Sequence, residues 1–320
     1  MSDTIDTGPV LAADGTPLKR SLQRSLRLQK VRALMLIAPL LAFVLITFIA
    51  PIADMLFRSV ENEIVENTLP QTVAQLESDP TGNPIIPDED IFSALYVDMF
   101  VAVKKKEHTR LGSRLNYEQT GASSLFRKSG RRVRRLNVDV YPEQFAAVDP
   151  AWAEVRTWQE LAQSSDTETV LPRAMWAYSA WRSYVTEDGD NPDEEPLAGF
   201  IYVALYDDLI KLENSAGAND LIRKTANAAA DFKTVSFKDA FAKFDKNWTS
   251  EDIWKTLRTY SSTYTEGYFL NAADLQKDFD GYSVRPENQR IYGTLFLRTL
   301  YMSLAITACA ILLGYPIAYL

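Results

Sequence analysis

The sequence lacks most of the side chains on which enzymes and metal sites depend. Its 320 residues include one cysteine, Cys309, and one histidine, His108. A lone cysteine excludes a disulfide within the chain and a zinc site built on cysteines, and this shortage nearly excludes Cys/His and Ser/His/Asp triads. His108 follows three lysines and a glutamate, and this setting predicts a solvated surface histidine.

Motifs for nucleotide binding and acyl transfer are also missing. The chain contains no phosphate-binding G-x-x-x-x-G-K loop and no G-x-S-x-G nucleophile turn. The acidic segment from Glu187 to Pro196 predicts an exposed loop, but it lacks the D-x-D-x-D-G order of a calcium site. A carboxylate pair for glycoside hydrolysis stays open, because separation in space cannot be read from a sequence. We therefore expect no enzyme activity, no cofactor and no metal ion in this chain.

Two long apolar runs lie near the ends of an otherwise polar chain. Residues 33–53 and 299–320 contain 21 and 22 residues without a charge. An α-helix of about 20 residues crosses the roughly 30 Å hydrocarbon core of a bilayer. The sequence therefore predicts a helical integral membrane protein with two transmembrane helices, at residues 33–57 and 299–320.

Charges around the first run predict its orientation. Six basic residues precede it, whereas Arg58 behind it is followed by glutamates. The six are Lys19, Arg20, Arg24, Arg27, Lys30 and Arg32. By the positive-inside rule, residues 1–32 form a basic cytoplasmic tail, disordered at its start, and residues 58–298 are extracytoplasmic. A cleavable signal peptide is disfavoured, because the run is longer than a usual signal core and no A-x-A-like site follows it.

The segment between the two runs is large enough for a folded domain. Residues 58–298 number 241, and they carry 38 acidic against 28 basic side chains, a net charge of −10. This acidity disfavours nucleic acid as a partner. Helical spacing of apolar residues recurs through the segment, whereas clean alternation is scarce. We therefore expect a mainly α fold, with a large and mostly helical extracytoplasmic domain.

Several local signals predict individual helices. Acids at Asp88 and lysines after Val103 fit the dipole of an amphipathic helix between them. A short helix is expected over residues 68–76. The remaining signals are N-caps, at Asp149 before Pro150, at Ser236 with Asp239, and at Thr249 with Asp252.

Two clusters of side chains permit a structural and a functional interpretation. Residues 126–135 hold six basic side chains, which either pair with nearby carboxylates or form a docking patch. Four aromatic residues lie close together in the next part of the chain and suit either core packing or a cation cage. They are Trp176, Tyr178, Trp181 and Tyr184. Pairing and core packing are the interpretations that we prefer.

The second apolar run reads FLRTLYMSLAITACAILLGYPIAYL from Phe296 to Leu320. It resembles the first conserved helix of permeases in binding-protein-dependent ABC importers, and within that group the spermidine/putrescine type. The matching residues include Arg298 and Thr299 at the membrane boundary and the closing run Leu313 to Tyr319. The helix-packing motif of the permease that the resemblance implies consists of Ser303, Thr307, Gly314, Tyr315 and Pro316. The first run, with Pro39 and Pro51, is similar to the opening helix of that family.

The resemblance implies a multi-pass permease of the bacterial inner membrane, embedded in lipid, with about six spans. It also implies an ABC ATPase subunit that binds the ATP, a second permease subunit, and an extracytoplasmic binding protein that delivers a small-molecule substrate. On this basis we expect the sequence to be the N-terminal part of a longer chain. The 241-residue outer segment departs from the pattern, because family members usually join these helices by a much shorter one. Its acidity would attract a polyamine cation.

A sensor receptor is the competing hypothesis. Two transmembrane helices around an outer ligand domain fit such a receptor equally well. A receptor helix normally continues into a charged linker helix, and Gly314 and Pro316 are expected to loosen the second span just before it would do so. The permease is therefore the interpretation that we prefer.

Overall fold

A computed structural model of the protein describes residues 18–78, 85–212, 218–279 and 281–319. These residues form seventeen α-helices and one two-stranded hairpin, so the prediction of a mainly α fold is confirmed. The chain divides into two compact units, one up to Ser59 and the other from Val60 onward. The predicted disordered start of the tail and Leu320, the last residue of the predicted second span, lie outside the described residues.

The first unit is a helix with one wide turn. Helix α1 (Leu18–Val44) continues through a π-helical turn, Leu45–Ile49, into α2 (Ala50–Arg58). Pro51 follows this turn. A proline has no backbone N–H to donate, and its ring would collide with the main-chain oxygen of the residue four positions earlier. A π-turn just before the proline accommodates that mismatch. The stretch Met35–Arg58 is long and apolar enough to cross a membrane, in agreement with the predicted first span.

The second unit contains the remaining helices and the hairpin. The bounds are α3 (Glu63–Thr68), α4 (Pro70–Ser78), α5 (Glu89–Lys104), α6 (His108–Leu115), α7 (Ala122–Val133), α8 (Val140–Val148), α9 (Val155–Ala162), α10 (Ser165–Val170), α11 (Pro172–Asp188), α12 (Gly199–Ile210), α13 (Asp220–Ala229), α14 (Phe237–Phe244), α15 (Glu251–Tyr260), α16 (Gly267–Ala272), β1 (Leu275–Asp278), β2 (Gly281–Val284) and α17 (Tyr292–Tyr319).

Helices α3–α5 and α10–α12 are two copies of one arrangement. In each copy a Leu-Pro pair separates a short helix from the next, and the two leucines have nearly the same backbone angles: φ −127° and ψ 51° at Leu69, φ −127° and ψ 58° at Leu171. An aspartate in the sequence A-L-Y-x-D then caps the helix that the proline begins. Asp98 Oδ2 accepts the Thr72 N–H at 2.7 Å, and Asp208 Oδ2 accepts the Ala174 N–H at 2.8 Å. Buried aspartates therefore cap α4 and α11 in the same way.

Helices α7–α9 and α13–α15 continue the two copies, offset by 96 residues. Each copy contains an aspartate followed by two buried tryptophans at the same spacing. The residues are Asp149, Trp152 and Trp158 in the first copy and Asp245, Trp248 and Trp254 in the second. In both copies the aspartate side chain caps a 3-10 turn, and the second indole N–H donates to the main-chain oxygen of the first tryptophan, at 3.0 and 2.9 Å.

The two copies interlock by reciprocal contacts. Lys128 of the first copy pairs with Asp245 of the second at 3.0 Å, and Lys224 of the second pairs with Asp149 of the first at 2.9 Å. The first indole N–H of each copy also crosses to the other, from Trp152 to Thr225 Oγ1 and from Trp248 to Ser129 Oγ, both at 2.8 Å. Such an exchange of equivalent contacts is what an approximate twofold axis produces.

Two equivalent aromatic residues lie at this axis. Tyr141 and Phe237 occupy the same position in the two copies, and their rings stack on each other with centroids 6.4 Å apart. Tyr96 packs on Phe237 and its counterpart Tyr206 on Tyr141, at 4.7 and 5.6 Å. The core of the second unit is therefore one aromatic layer shared by both copies.

The core decides between the alternatives for the aromatic cluster. Tyr178, Trp181 and Tyr184 are buried, and Trp176 is half-buried. Tyr178 stacks on Trp158 and Trp181 at 5.7 Å. Core packing is thus confirmed for this cluster.

The basic cluster is a helix rather than a loop of free charges. It forms most of α7, in which Phe126 and Val133 are buried. Lys128 pairs with Asp245, and the Arg132 guanidinium donates to the main-chain oxygens of Lys243 and Phe244. These contacts favour pairing over a docking patch.

Some predicted helix boundaries and one predicted surface residue were wrong. Residues 68–76 form parts of two helices, because Pro70 forces Leu69 out of the helical region. Ser250 caps α15, one residue after the predicted Thr249, and the turn after Asp149 is 3-10 before α9 begins at Val155. His108 is half-buried, because α6 holds its ring against Gly130 of α7. The helix over residues 88–103 and the Ser236 cap are confirmed.

Candidate functional site

The residues predicted for the permease motif all lie on α17. Their side chains are exposed, and Thr307 Oγ1 donates to the Ser303 main-chain oxygen at 2.8 Å, as a hydroxyl on an apolar helix does. A Cβ added to Gly314 would meet no atom within 4 Å. Ser303, Thr307 and Gly314 share one side of α17, whereas Tyr315 and Pro316 lie on other sides, because successive residues of a helix are about 100° apart.

Helix α17 differs from the prediction at both ends. It begins at Tyr292, seven residues before the predicted start, and its apolar stretch Tyr292–Pro316 is long enough to cross a membrane. The helix also runs through Gly314 and Pro316 to Tyr319, whereas we expected these residues to loosen it. A proline close to the end of a helix removes one hydrogen bond, and one bond is not enough to break the last turn.

The start of α17 is tied to a segment that we call the collar, residues 60–62 and 263–292. The two parts of the collar pair with each other: the Asn62 N–H donates to Thr263 O at 2.7 Å, and the Thr265 N–H donates to Val60 O at 2.8 Å. Val60 follows the end of α2, Arg58, by two residues. The collar therefore connects the helical repeat, along the chain, to both apolar helices.

Asp274 fixes the first turn of α17 to the collar. Its two carboxylate oxygens accept the N–H groups of Tyr292 and Gly293, at 3.1 and 2.7 Å. Asp274 itself has a left-handed backbone, φ 56°, which aspartate tolerates better than most residues. The carboxylate also lies where the positive end of the helix dipole favours it.

A buried ion cluster connects the first copy of the repeat to the collar. Glu118 accepts from Arg114 at 2.7 Å and from Arg285 at 2.9 Å, and the three side chains are 4–6% exposed. Arg285 also donates to Tyr117 O at 2.8 Å, and the Arg114 guanidinium lies 4.3 Å from the Tyr268 ring centroid. Buried ions persist only when they are paired in this manner. The cluster holds the collar in place at Arg285, which lies seven residues before the start of α17.

A polar cavity of about 500 Å³ lies between α15 and the hairpin. Its walls carry three carboxylates, Glu118, Asp252 and Asp278, and two ammonium groups, Lys255 and Lys277. Hydroxyl groups of Tyr260 and Tyr282 complete the lining. The chemistry of this lining suits a small hydrophilic molecule, and within the described residues no group of three or more metal-ligating side chains is found.

Three buried aspartates form the other charged site of the second unit. Burial raises the pKa of Asp98 and of Asp208 to about 7, and it raises the pKa of Asp207 to about 6. Asp207 lies 3.0 Å from the Arg173 guanidinium and accepts from Ser93 at 2.5 Å. Because all three carboxylates face helix ends, arginine or hydroxyl groups, their role is to hold α4, α5, α11 and α12 together.

The sequence analysis missed both the repeat and the ion cluster. The spacing D-x-x-W-x-x-x-x-x-W occurs twice, 96 residues apart, and this signal was sufficient to find the repeat. The ion cluster has a weaker signal, since Arg114 and Glu118 are four residues apart on a helix but Arg285 is 167 residues further on.

The chain matches no family model, and neither the comparison with curated proteins nor that with solved structures finds a similar protein.

Proposed function

We propose that this chain belongs to the transmembrane permease subunit of a binding-protein-dependent ABC importer in a bacterial inner membrane. The permease moves a small solute inward by alternating access, while a separate ATPase subunit binds and hydrolyses ATP. In this proposal residues 1–32 are cytoplasmic and the second unit from Val60 to the start of α17 is extracytoplasmic. A second permease subunit and an outer binding protein complete the assembly.

The observation that carries the proposal is the free surface around Gly314. A glycine in a membrane helix normally lets a neighbouring helix approach closely. Outside its own helical turn, no atom of the described residues lies within 4 Å of a Cβ at this position, so the glycine makes no close contact among them. Contact with another membrane helix is the use that remains, and it fits the resemblance of the run from Leu313 to Tyr319.

The outer domain suits the delivery of a cation. The net charge of −10 over residues 58–298 raises the local concentration of cationic solutes. The cavity beside the hairpin has Asp252 and Asp278 in its lining together with Lys255 and Lys277, so its contribution to cation attraction is small beside that of the net charge. A polyamine is therefore the substrate class that we propose, with the outer domain as the contact for the binding protein.

Transport by the reconstituted complex tests the proposal. The full-length subunit, its partner ATPase, the second permease and the binding protein are placed in liposomes, and ATP-driven uptake of labelled putrescine and spermidine is measured. Gly314→Leu is expected to abolish uptake, because a leucine side chain blocks close helix approach. Ala308→Leu is the matched control, since residue 308 is exposed on a different face of α17 and should retain uptake. Normal uptake by Gly314→Leu would contradict the packing argument.

A deletion tests the role of the outer domain. Replacing residues 65–259 by a short Gly/Ser linker retains Glu61 and Tyr264, which pair as an isolated bridge in the collar, and removes the helical repeat together with Glu118 of the ion cluster. The shortened protein is expected to insert into the membrane and to lose binding-protein docking. Unchanged docking would exclude the outer domain as the contact site.

One observation favours the sensor receptor as a second candidate. Helix α17 is continuous to Tyr319 and is held at its start by Asp274, so a movement of the outer domain would be passed along it. Purification of the full-length protein in mild detergent separates the two candidates. Recovery of an ABC ATPase supports the importer, whereas a signalling kinase or adaptor bound to the chain supports the receptor.

A further inference from the structure

Apart from those on α17 beyond Tyr292, the large exposed apolar side chains of the second unit are concentrated in the collar. Among the described residues of the collar eight are exposed, whereas residues 63–262, where they are described, have two, Tyr117 and Ile210. Tyr117 itself adjoins the collar, because its ring lies 6.3 Å from the Tyr268 ring. Six of the eight are aromatic: Tyr264, Tyr268, Phe269, Phe279, Tyr282 and Tyr292. Between α2 and the start of α17, the described surface of the second unit thus has one aromatic region, and it belongs mainly to the collar.

The position of this aromatic region in the chain indicates that it contacts a bilayer. The collar begins two residues after the end of α2 in the chain and ends at the first turn of α17, so it is connected along the chain to both apolar helices. The paired strands at Asn62 and Thr263 keep these two parts of the collar together. If both helices cross a bilayer, the collar lies at its outer surface.

The length of α17 indicates at which depth of a bilayer its first turns and the collar lie. Its apolar stretch of 25 residues is about 37 Å long, which exceeds the roughly 30 Å of hydrocarbon by about 7 Å, a little more than one turn. Arg298 lies within this stretch, and a long basic side chain near a helix end reaches back to the phosphate level. The turns from Tyr292 to Arg298 therefore lie among the headgroups. Asp274, which bonds to Tyr292 and Gly293, brings the collar to the same level.

We propose that the collar is a lipid-contacting surface whose aromatic side chains insert into the headgroup region of the outer leaflet. Tyrosine rings concentrate at this level because one end of the ring is apolar and the hydroxyl remains hydrated, and phenylalanine rings on an interfacial surface insert at the boundary between headgroups and acyl chains. The hairpin carries two of these rings, Phe279 and Tyr282, which are 43% and 65% exposed. The ion cluster at Glu118 then attaches the helical repeat to this lipid-contacting surface. The inference requires that the two apolar helices span a bilayer, but it does not depend on transport.

Quenching by brominated lipid tests the proposal on the full chain. Cys309→Ala removes the only cysteine, and single variants Tyr282→Cys and Phe269→Cys carry an environment-sensitive nitrobenzoxadiazole label. The labelled protein is placed in phosphatidylcholine vesicles brominated near the glycerol or near the methyl end of the acyl chains. Both collar labels are expected to emit at shorter wavelength than in water and to lose more emission with the shallow bromines than with the deep ones.

Two control positions make the outcomes distinguishable. Ile210→Cys is exposed on the helical repeat and should be unaffected by either lipid, whereas Leu304→Cys lies within α17 and should be quenched. Collar labels that behave like Ile210→Cys while Leu304→Cys is quenched would overturn the lipid-contacting collar and leave the membrane helices intact. A lack of quenching at Leu304→Cys would overturn the membrane assignment as well.

Discussion

The two copies of the helical repeat are most different where the first one meets the collar. Between α5 and α7 the first copy has α6 and then Glu118, while the connection between α12 and α13 in the second copy has only nine residues. The interlocking contacts, by comparison, are matched almost residue for residue. The comparison indicates a symmetric scaffold that is attached asymmetrically, with the buried ion pairs to the collar provided by the first copy.

The largest expected effect is the loss of a tryptophan at the interlock. Trp152→Ala and Trp248→Ala should each reduce the free energy of unfolding by about 3–5 kcal/mol, because each creates a cavity and removes an indole hydrogen bond. The two costs should agree closely, since both side chains are fully buried and donate at 2.8 Å to equivalent hydroxyls. Denaturant unfolding of the full chain in detergent, followed by circular dichroism, measures them.

Trp176→Ala provides the control for this pair. Trp176 is half-buried, so its replacement should reduce the free energy of unfolding by less than the replacement of Trp152 or Trp248. Unequal costs at Trp152 and Trp248, beyond the error of the measurement, would show that the two copies are alike in geometry but not in energy.

Glu118 tests the asymmetric attachment. Glu118→Gln leaves two buried arginines without their carboxylate, and the loss of one partner of a buried pair costs about 3–5 kcal/mol when it is complete. The loss should be local. Hydrogen exchange is expected to accelerate in residues 263–292 and to stay unchanged in α12 and α13. Acceleration throughout both copies would contradict a separate attachment.

Whether a feature of the fold could be predicted depended on how far apart in the sequence the contacting residues lie. Helix α5 was found because its acids, apolar face and lysines are all local, and the long apolar runs needed only composition. The pairing of Lys128 with Asp245 joins residues 117 positions apart, and no local pattern distinguishes it from a solvated lysine. The surface around Gly314 was predicted from resemblance alone. The collar escaped prediction because its aromatic residues have no periodicity and come together only through the pairing of residues 60–62 with 263–265.

A glycine in the first copy sharpens the comparison further. Gly130 corresponds to Ala226 in the second copy, and a Cβ at Gly130 would lie 2.6 Å from the His108 ring and 2.9 Å from Val103 Cγ2. Gly130→Ala should therefore destabilise the protein by about 1–3 kcal/mol, although alanine normally adds about 1 kcal/mol in a helix. The double variant with His108→Ala should recover part of the loss, as measured by denaturant unfolding. A more stable Gly130→Ala protein would show that α6 is not packed as described.

A pH dependence shared by the two capping aspartates tests whether the two copies are also alike in their electrostatics. Burial raises the pKa of Asp98 and of Asp208 to about 7, so the folded protein holds protons that the unfolded chain releases above about pH 4. Stability should therefore fall as the pH rises from about 4 to 7. Asp98→Asn and Asp208→Asn should each reduce the difference between the denaturation midpoints at pH 5 and pH 8, and by similar amounts.

His108 acts in the opposite direction, because burial lowers its pKa and stability rises as the pH approaches 6.5. His108→Gln should therefore make the fall in stability with rising pH steeper. An unchanged slope in both asparagine variants would mean that the two carboxylates remain ionised at the helix ends which they cap.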